Sequence, residues 1–286
     1  MHEKWLSFAA AFGCLAALSA TTRGQVYDSG GFDNVLRFSP TLVNSSEPSV
    51  LGNLRGQDAA VKPWLYSGPN TTTVTTGAAQ VITAAQGPVF SGTQAVRVNR
   101  FTGDNFWAPD LTTTVGTGTV KINWAMDVLP TNNANTFGPF FGIDAYGTGT
   151  SGFGRLGGVG VDASTGEFIY IDSGGFEVVN FNPVTQLGQQ IGVGYHQYEL
   201  DLSFASHTFS ASVDAVSTVS GIPFATPGAT QFLDGDIATL REAAGTLGLD
   251  GGTAYFDNYA VTPEPTTALG LFSAFALLLH RRRLVA

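Results

Sequence analysis

Cysteine is nearly missing from the chain: its one thiol, Cys14, lies in an apolar N-terminal run. Ala11, Phe12 and Gly13 ahead of it lack the leucine-like position of a lipoprotein signal, so lipidation is not expected there. With that run removed, disulfides and thiolate metal sites are excluded. Charge is scarce as well, at 12% of residues, and basic charge scarcest: 13 Lys and Arg stand against 22 Asp and Glu, for a net charge of −9. Such a surface repels nucleic acid, which is excluded as a partner, and it attracts divalent cations. The four histidines show no metal-ligand spacing. No phosphate loop, nucleophile elbow or dinucleotide fingerprint occurs; "GFGRLGG" has the glycines of a turn without a phosphate-binding lysine.

No long hydrophobic stretch is present either. The C-terminal block Thr266 to Leu279 holds 14 residues without a charge. As a helix it reaches only about 21 Å, short of the ~30 Å hydrocarbon core. The N-terminal run from Trp5 to Leu18 follows Lys4 and precedes small residues, the pattern of a secretory signal peptide with cleavage expected between Ser19 and Gly24. The expected organisation is a signal peptide at 1–24, one body at 25–262 and a tail at 263–286.

What is abundant is glycine, with 36 residues, together with threonine, serine, asparagine and phenylalanine, a composition suited to short strands and tight turns. In "TVKINWAMDV", Val120, Ile122, Trp124, Met126 and Val128 alternate with mostly polar neighbours, so one face of a strand is core and the other wet. "YHQYELDLSF" alternates likewise, and "HTFSASVDAV" resumes the pattern after a turn near Ser206, predicting a hairpin. Further strands are predicted at Ala95 to Phe101, Phe140 to Ala145, Leu156 to Val161, Glu167 to Asp172 and Thr253 to Val261, with "DASTGE" as an antiparallel turn. The repeated "DSGGF" at Asp28 and Asp172 reads as recurrent turn chemistry. One short helix is predicted, Asp236 to Ala244, with Asp236 as N-cap and Gly245 as stop. Many two-faced strands predict an all-β fold, an antiparallel β-sandwich of jelly-roll type, with an up-and-down barrel as the alternative.

The tail pairs Pro263, Glu264 and Pro265 with a short apolar block and Arg281, Arg282 and Arg283. This order resembles the PEP-CTERM sorting signal of exported bacterial proteins. The resemblance implies a transient membrane stage as a short transmembrane helix, processing by an exosortase-type enzyme, and delivery to the cell surface, outer membrane or extracellular matrix. The body's "GGFDN", "LRGQDAAVKPW", "SGTQAVRV" and "GTAYFDNYAV" resemble strands of laminin-G-like, concanavalin-A-like jelly rolls.

Three sets of side chains are candidates for chemistry. Phe106 and Trp107, beside Asp104, Asn105 and Asp110, read as a loop whose rings face a sugar while amide and carboxylate groups fix its hydroxyls. The resemblance implies that Asp257 on the last strand helps hold a structural calcium, with Asp28 and Asp33 supplying oxygens if the first and last strands pair. Glu199 and Asp201 share a strand face, but the third acid of a β-glucanase triad is replaced by Ser203 or Phe204, so the face reads as solvated rather than catalytic. His196 and His207 read as structural. The expected function is an exported binding or structural module associated with exopolysaccharide or biofilm, not an enzyme; the alternative is a glycan hydrolase or lyase of the same fold.

Overall fold

A computed structural model describes residues 27–42, 51–67, 77–101, 103–109, 111, 113–114, 118–131, 138–150, 152–180, 188–241 and 251–264. Every regular element among them is a strand. In chain order these are β1 (Tyr27–Asp28), β2 (Trp64–Ser67), β3 (Gly77–Thr83), β4 (Gln94–Arg100), β5 (Asn105–Pro109), β6 (Thr113–Thr114), β7 (Thr119–Val128) and β8 (Pro139–Gly149). The second half adds β9 (Gly152–Asp162), β10 (Phe168–Asp172), β11 (Gly175–Val178), β12 (His196–Ser203), β13 (Thr208–Val213), β14 (Val216–Pro223), β15 (Gln231–Arg241) and β16 (Gly252–Glu264).

These strands form two antiparallel sheets. The first runs β14-β13-β12-β7-β16-β4-β3, with β1 paired to β16, and the second runs β11-β10-β9-β8-β15-β5-β2, with β6 on β15. Connections such as β7 to β8 and β15 to β16 cross from one sheet to the other, giving the jelly-roll sandwich rather than a closed barrel. The inner faces meet in one large core that includes Trp107, Trp124, Phe141, Leu200, Phe209 and Phe256, all buried. Trp124 stacks on Tyr198 with ring centroids 5.4 Å apart, and these two residues face each other across β7 and β12.

The alternation in β7 and β12 appears as predicted: Val120, Ile122, Trp124 and Met126 are buried, as are Tyr198, Leu200 and Leu202. The β12–β13 hairpin turns near Ser206, and β9 pairs with β10 through the "DASTGE" turn. Both "DSGGF" segments make the same local closure, with the Asp28 carboxylate accepting from Gly30 N at 2.7 Å and the Asp172 carboxylate from Gly174 N at 2.6 Å.

The predicted helix is instead strand over Asp236 to Arg241, and its remainder, through Ala244 and the Gly245 stop, lies outside the described residues. Residues 231–241 form β15, which pairs with β8 on one side and with β5 and β6 on the other. Ile237, Ala238, Thr239 and Leu240 are buried in succession, so the strand lacks the polar alternation of a half-exposed one, and Asp236 serves no cap. Among the described residues no helix is long and apolar enough to cross a membrane. The segments 1–26 and 265–286, with the expected signal peptide, the apolar block, Pro265 and Arg281 to Arg283, lie outside the described residues. Strand β16 continues through Pro263 and Glu264, which pair with Val120 and Thr119.

Candidate functional site

The outer face of the second sheet carries the richest grouping of chemistry. Alternation sends Ile143, Ile237 and Trp107 into the core, so Asp144 on β8, Asp236 on β15 and Phe106 on β5 lie on the other side. Asp144 and Asp236 stand directly opposite each other in the ladder. A bulge between Ala145 and Tyr146 skips Leu156 and brings Arg155 opposite Tyr146. Arg155 then grips the buried Asp144 carboxylate through Nε at 2.8 Å and Nη2 at 2.7 Å, while the Tyr146 hydroxyl donates to the same group at 2.9 Å.

Three rings line this patch. Phe106 meets Tyr146 edge-on at 6.3 Å. Tyr146 lies parallel to Phe153 at 5.3 Å, and the Arg155 guanidinium sits 5.9 Å from the Tyr146 centroid. Phe153 is 69% exposed, far more than a ring needs for packing. Burial raises the Asp144 carboxyl, with Arg155 pulling it back. Asp236 is held well above the usual carboxylate range, by burial first and then by the neighbouring charges of Asp234 and Asp144. Burial and the Asp144 charge also raise the Tyr146 phenol. The arrangement offers an apolar ring surface beside hydrogen-bonding groups whose own geometry is fixed.

Only part of the predicted "GDNFWAPD" site is brought to this patch. The segment is strand β5 rather than loop, so neighbouring Phe106 and Trp107 point to opposite faces. Trp107 is 2% exposed in the core, tilted against Tyr66 at 5.4 Å. Asn105 is buried beside it, accepting from the Tyr66 hydroxyl at 2.8 Å and donating to Thr239 Oγ1 at 3.4 Å. Asp104 is half-buried, and Asp110 lies outside the described residues. Tyr146, Phe153 and Arg155 are not among the sequence-predicted site residues, and Asp236 is predicted only as a helix cap. The adjacent "FGRLGG" and "IDAYG" segments hold three of them, but nothing in the sequence announces that they pair.

At the junction of the first and last strands, β1 does pair with β16, matching Tyr27 with Val261 and Asp28 with Ala260. A bulge between Asp257 and Ala260 leaves Asn258 at φ 50°, a left-handed conformation that asparagine tolerates. The buried Asp257 carboxylate accepts from Phe90 N at 3.1 Å, Ser91 N at 3.0 Å and Asn258 N at 2.7 Å. Asp33 accepts from Thr93 N at 2.6 Å and Gln94 N at 2.9 Å.

Three oxygens converge on Gly31: a Cβ there would lie 3.0 Å from Asn258 Oδ1, 3.4 Å from Asp257 Oδ1 and 3.4 Å from Asp33 Oδ2. Burial, with a contribution from Asp33, raises Asp257 to about 6. Asp28 is spent on Gly30, and the third oxygen near Gly31 is Asn258. Among the described residues no three His, Cys, Asp or Glu side chains gather as a metal-ligating group, so a cation here would draw on Asn258 and backbone carbonyls as well.

On the outer face of the first sheet, Lys121 lies 3.4 Å from Glu199, 3.4 Å from Asp201 and 3.6 Å from Glu264. Burial and the Glu199 charge raise Asp201, and Lys121 opposes them. Glu199 and Asp201, sharing Lys121 with Glu264, form an ion-paired surface rather than a free acid and nucleophile. His196 Nδ1 is 2.7 Å from Asp214 Oδ2, and burial aside, that bond keeps Asp214 below its ordinary value. His207 adopts φ 53° at the β12–β13 turn, its ring 6.3 Å from Phe224.

No protein-family model and no curated protein sequence matches the chain. Among solved structures it is similar to the cellulose-induced protein Cip1, at 15% identity and a TM-score of 0.46, over 71% of this chain and 91% of that one. It is similar to the alginate lyase AlyC3 at 8% identity and a TM-score of 0.44, over 66% and 90% of the two chains. A sialidase aligns at 11% identity and a TM-score of 0.43 over 66% of this chain, which spans 17% of that protein's length.

Proposed function

We propose that this chain is an exported, surface- or matrix-associated glycan-binding module that holds a saccharide on the ring row Phe106, Tyr146 and Phe153. The observation that carries the reading is the exposed Phe153 ring lying parallel on Tyr146, with Arg155 and Asp236 beside it. Sugar rings present a C–H face that packs on an aromatic plane while their hydroxyls meet fixed polar groups. In this reading the tail sorts the chain: a transient membrane stage precedes exosortase-type processing around Pro263, Glu264 and Pro265. A structural calcium between Asp257, Asp33 and Asn258 pins the junction of first and last strands; it would neutralise two carboxylates that the fold places side by side.

The test is retention of the full chain on immobilised polysaccharides. Phe153→Ala should weaken retention about tenfold, the equivalent of about 1.4 kcal/mol, with an unchanged melting temperature. Undiminished retention sinks the ring-row reading. Fractionation that finds the body in the cytosol sinks the export reading.

The rival reading, a glycan hydrolase or lyase, draws on the facing carboxyls of Asp144 and Asp236, one paired with Arg155 and the other raised by burial and neighbouring charge, since two carboxyls in unlike environments are what glycosidic acid–base chemistry uses. Release of new reducing or unsaturated ends, abolished by Asp236→Asn, would favour it over binding alone.

A further inference from the structure

We infer that the opposite face of the sandwich carries a second saccharide cleft, so that one molecule grips a neutral glycan chain on each side and cross-links them. This rests on the ring-row reading for the first grip, and on separate observations for the second. The outer face of the first sheet holds a cleft of about 460 Å³. Its walls include Asn123, Gln197, Glu199, Ser210, Ser212 and Asn258, with the small Ala125 between them.

The register makes this more than a groove. Asn123 on β7, Glu199 on β12 and Ser212 on β13 are successive partners across three strands. Adjacent strands lie about 4.8 Å apart, so the three side chains form a straight row about 10 Å long. That length suits a disaccharide unit. Ala125 pairs with Gln197 one step along the same face, leaving open space over the methyl group.

Glu199 in the middle of the row is held by Lys121 at 3.4 Å, while the groups that flank it are uncommitted. The side-chain amides of Asn123 and Gln197 and the Ser212 hydroxyl make no hydrogen bond among the described residues. They present both donors and acceptors, as polyol recognition requires. Ser210 Oγ is already engaged, accepting from Gly221 N at 3.2 Å.

Charge fixes the ligand class. Around the cleft one cation, Lys121, faces Glu199, Asp201 and Glu264. On the other side Arg155 faces Asp144, with Asp234 and Asp236 nearby. The first face therefore carries surplus negative charge, and on the second Arg155 is spent on Asp144, so among the described residues neither offers a free cation to uronate or sulfated polymers, while an uncharged hexose polymer meets no such penalty. The two sites share no residue and are separated by the full thickness of two sheets packed about 10 Å apart. One polymer chain on each face makes the module a bivalent clamp.

The experiment measures binding stoichiometry and polymer cross-linking with the full chain. Probes are a neutral β-glucan, a neutral galactomannan, hexasaccharides of each, and anionic polygalacturonate. Calorimetry should give two hexasaccharide sites per chain, and the wild type should precipitate the neutral polymer at intermediate ratios. Phe153→Ala and the cleft-filling Ser212→Trp should each leave one site and abolish precipitation without abolishing binding. The milder Asn123→Ala/Gln197→Ala should weaken one of the two sites at least tenfold with an unchanged melt, guarding against misfolding of the tryptophan variant.

A wild-type stoichiometry of one overturns the inference. If that single site vanishes with Phe153→Ala, the ring-row reading stands alone. If it vanishes with Ser212→Trp, the ring-row reading falls. Polygalacturonate bound in preference to the neutral polymers overturns the ligand class, and binding of none of the probes overturns both readings.

Discussion

Raising the pH in the absence of calcium should destabilise the protein through Asp257. The native carboxyl is raised to about 6 by burial and by the Asp33 charge, whereas an aspartate in the unfolded chain titrates near 3.9. The folded state therefore binds the proton more tightly, and this contribution to stability is fully present below about pH 4 and is lost as pH rises through about 6. At 1.36 kcal/mol per pH unit of displacement, the loss comes to about 3 kcal/mol. For a body of this size each kcal/mol moves the melting temperature by about 2–4 °C, so the expected fall is about 6–12 °C.

Other raised carboxyls, Asp127, Asp144, Asp201 and Asp236, pull in the same direction. The quantity to follow is therefore the difference between wild type and Asp257→Asn, by circular dichroism melts in EDTA from pH 4 to 7. The Tyr195 phenol, raised by burial first and then by the Asp257 charge, stays protonated across this range in both proteins. Millimolar calcium should reverse the trend in the wild type, because a bound cation favours the ionised carboxylate and stabilises by mass action, about 2.7 kcal/mol at a hundredfold excess over Kd. A wild-type-minus-variant difference that stays flat across the range refutes the electrostatic reasoning. Superimposable melts with and without calcium refute the metal proposal.

Other perturbations have equally definite outcomes. Arg155→Met should cost about 3 kcal/mol in urea unfolding, since it leaves the buried Asp144 carboxylate without its cation, and adding Asp144→Asn should recover most of the loss. Tyr27→Phe removes a hydroxyl that donates to Asp58 at 2.8 Å and accepts from Trp64 Nε1 at 2.7 Å. Asp58 keeps the Arg37 guanidinium, but the buried Trp64 indole N–H loses its acceptor, which should lower stability by about 1–3 kcal/mol, and an unchanged unfolding midpoint would show that water replaces the hydroxyl. At Gly157 a Cβ would lie 2.4 Å from the Phe209 ring, so Gly157→Ala should cost about 1–3 kcal/mol by overpacking between the sheets. A melt within 1 °C of wild type would mean that the ring yields freely.

The sequence was most legible where a strand has one wet face. β7 and β12 declare themselves because Lys121, Asn123, Glu199 and Asp201 interrupt the apolar residues at every second position. β15 did not, because Ile237 to Leu240 are covered on both faces and the period-2 signal vanishes. The helix-like spacing of "DIATLREAAG" then filled the gap. β5 was lost for a similar reason: Trp107 and Ala108 are both buried, and "DNFWAPD" is bracketed by turn-forming residues. The candidate site suffered more than the fold. Asp144, Arg155 and Asp236 meet only through the β8–β9 and β8–β15 ladders and a bulge, and such cross-strand register is set by the whole sheet rather than by local spacing. The pairing of the first and last strands beside Asp257 was anticipated, whereas the oxygens that gather at Gly31 come from Asp257, Asp33 and Asn258.

The placement of β16 between β7 and β4 has a temporal consequence. Two central ladders of the first sheet wait for a strand made more than a hundred residues after β7, so contacts of very high sequence separation must form before that sheet can close. Until then β7 and β4 expose unpaired edges on a chain that has no disulfide to hold intermediates together. Folding is therefore expected to be slow and to finish only once the last strand has emerged. Under the export reading proposed above, a polypeptide that withholds its own keystone in this way would stay threadable for as long as translocation takes.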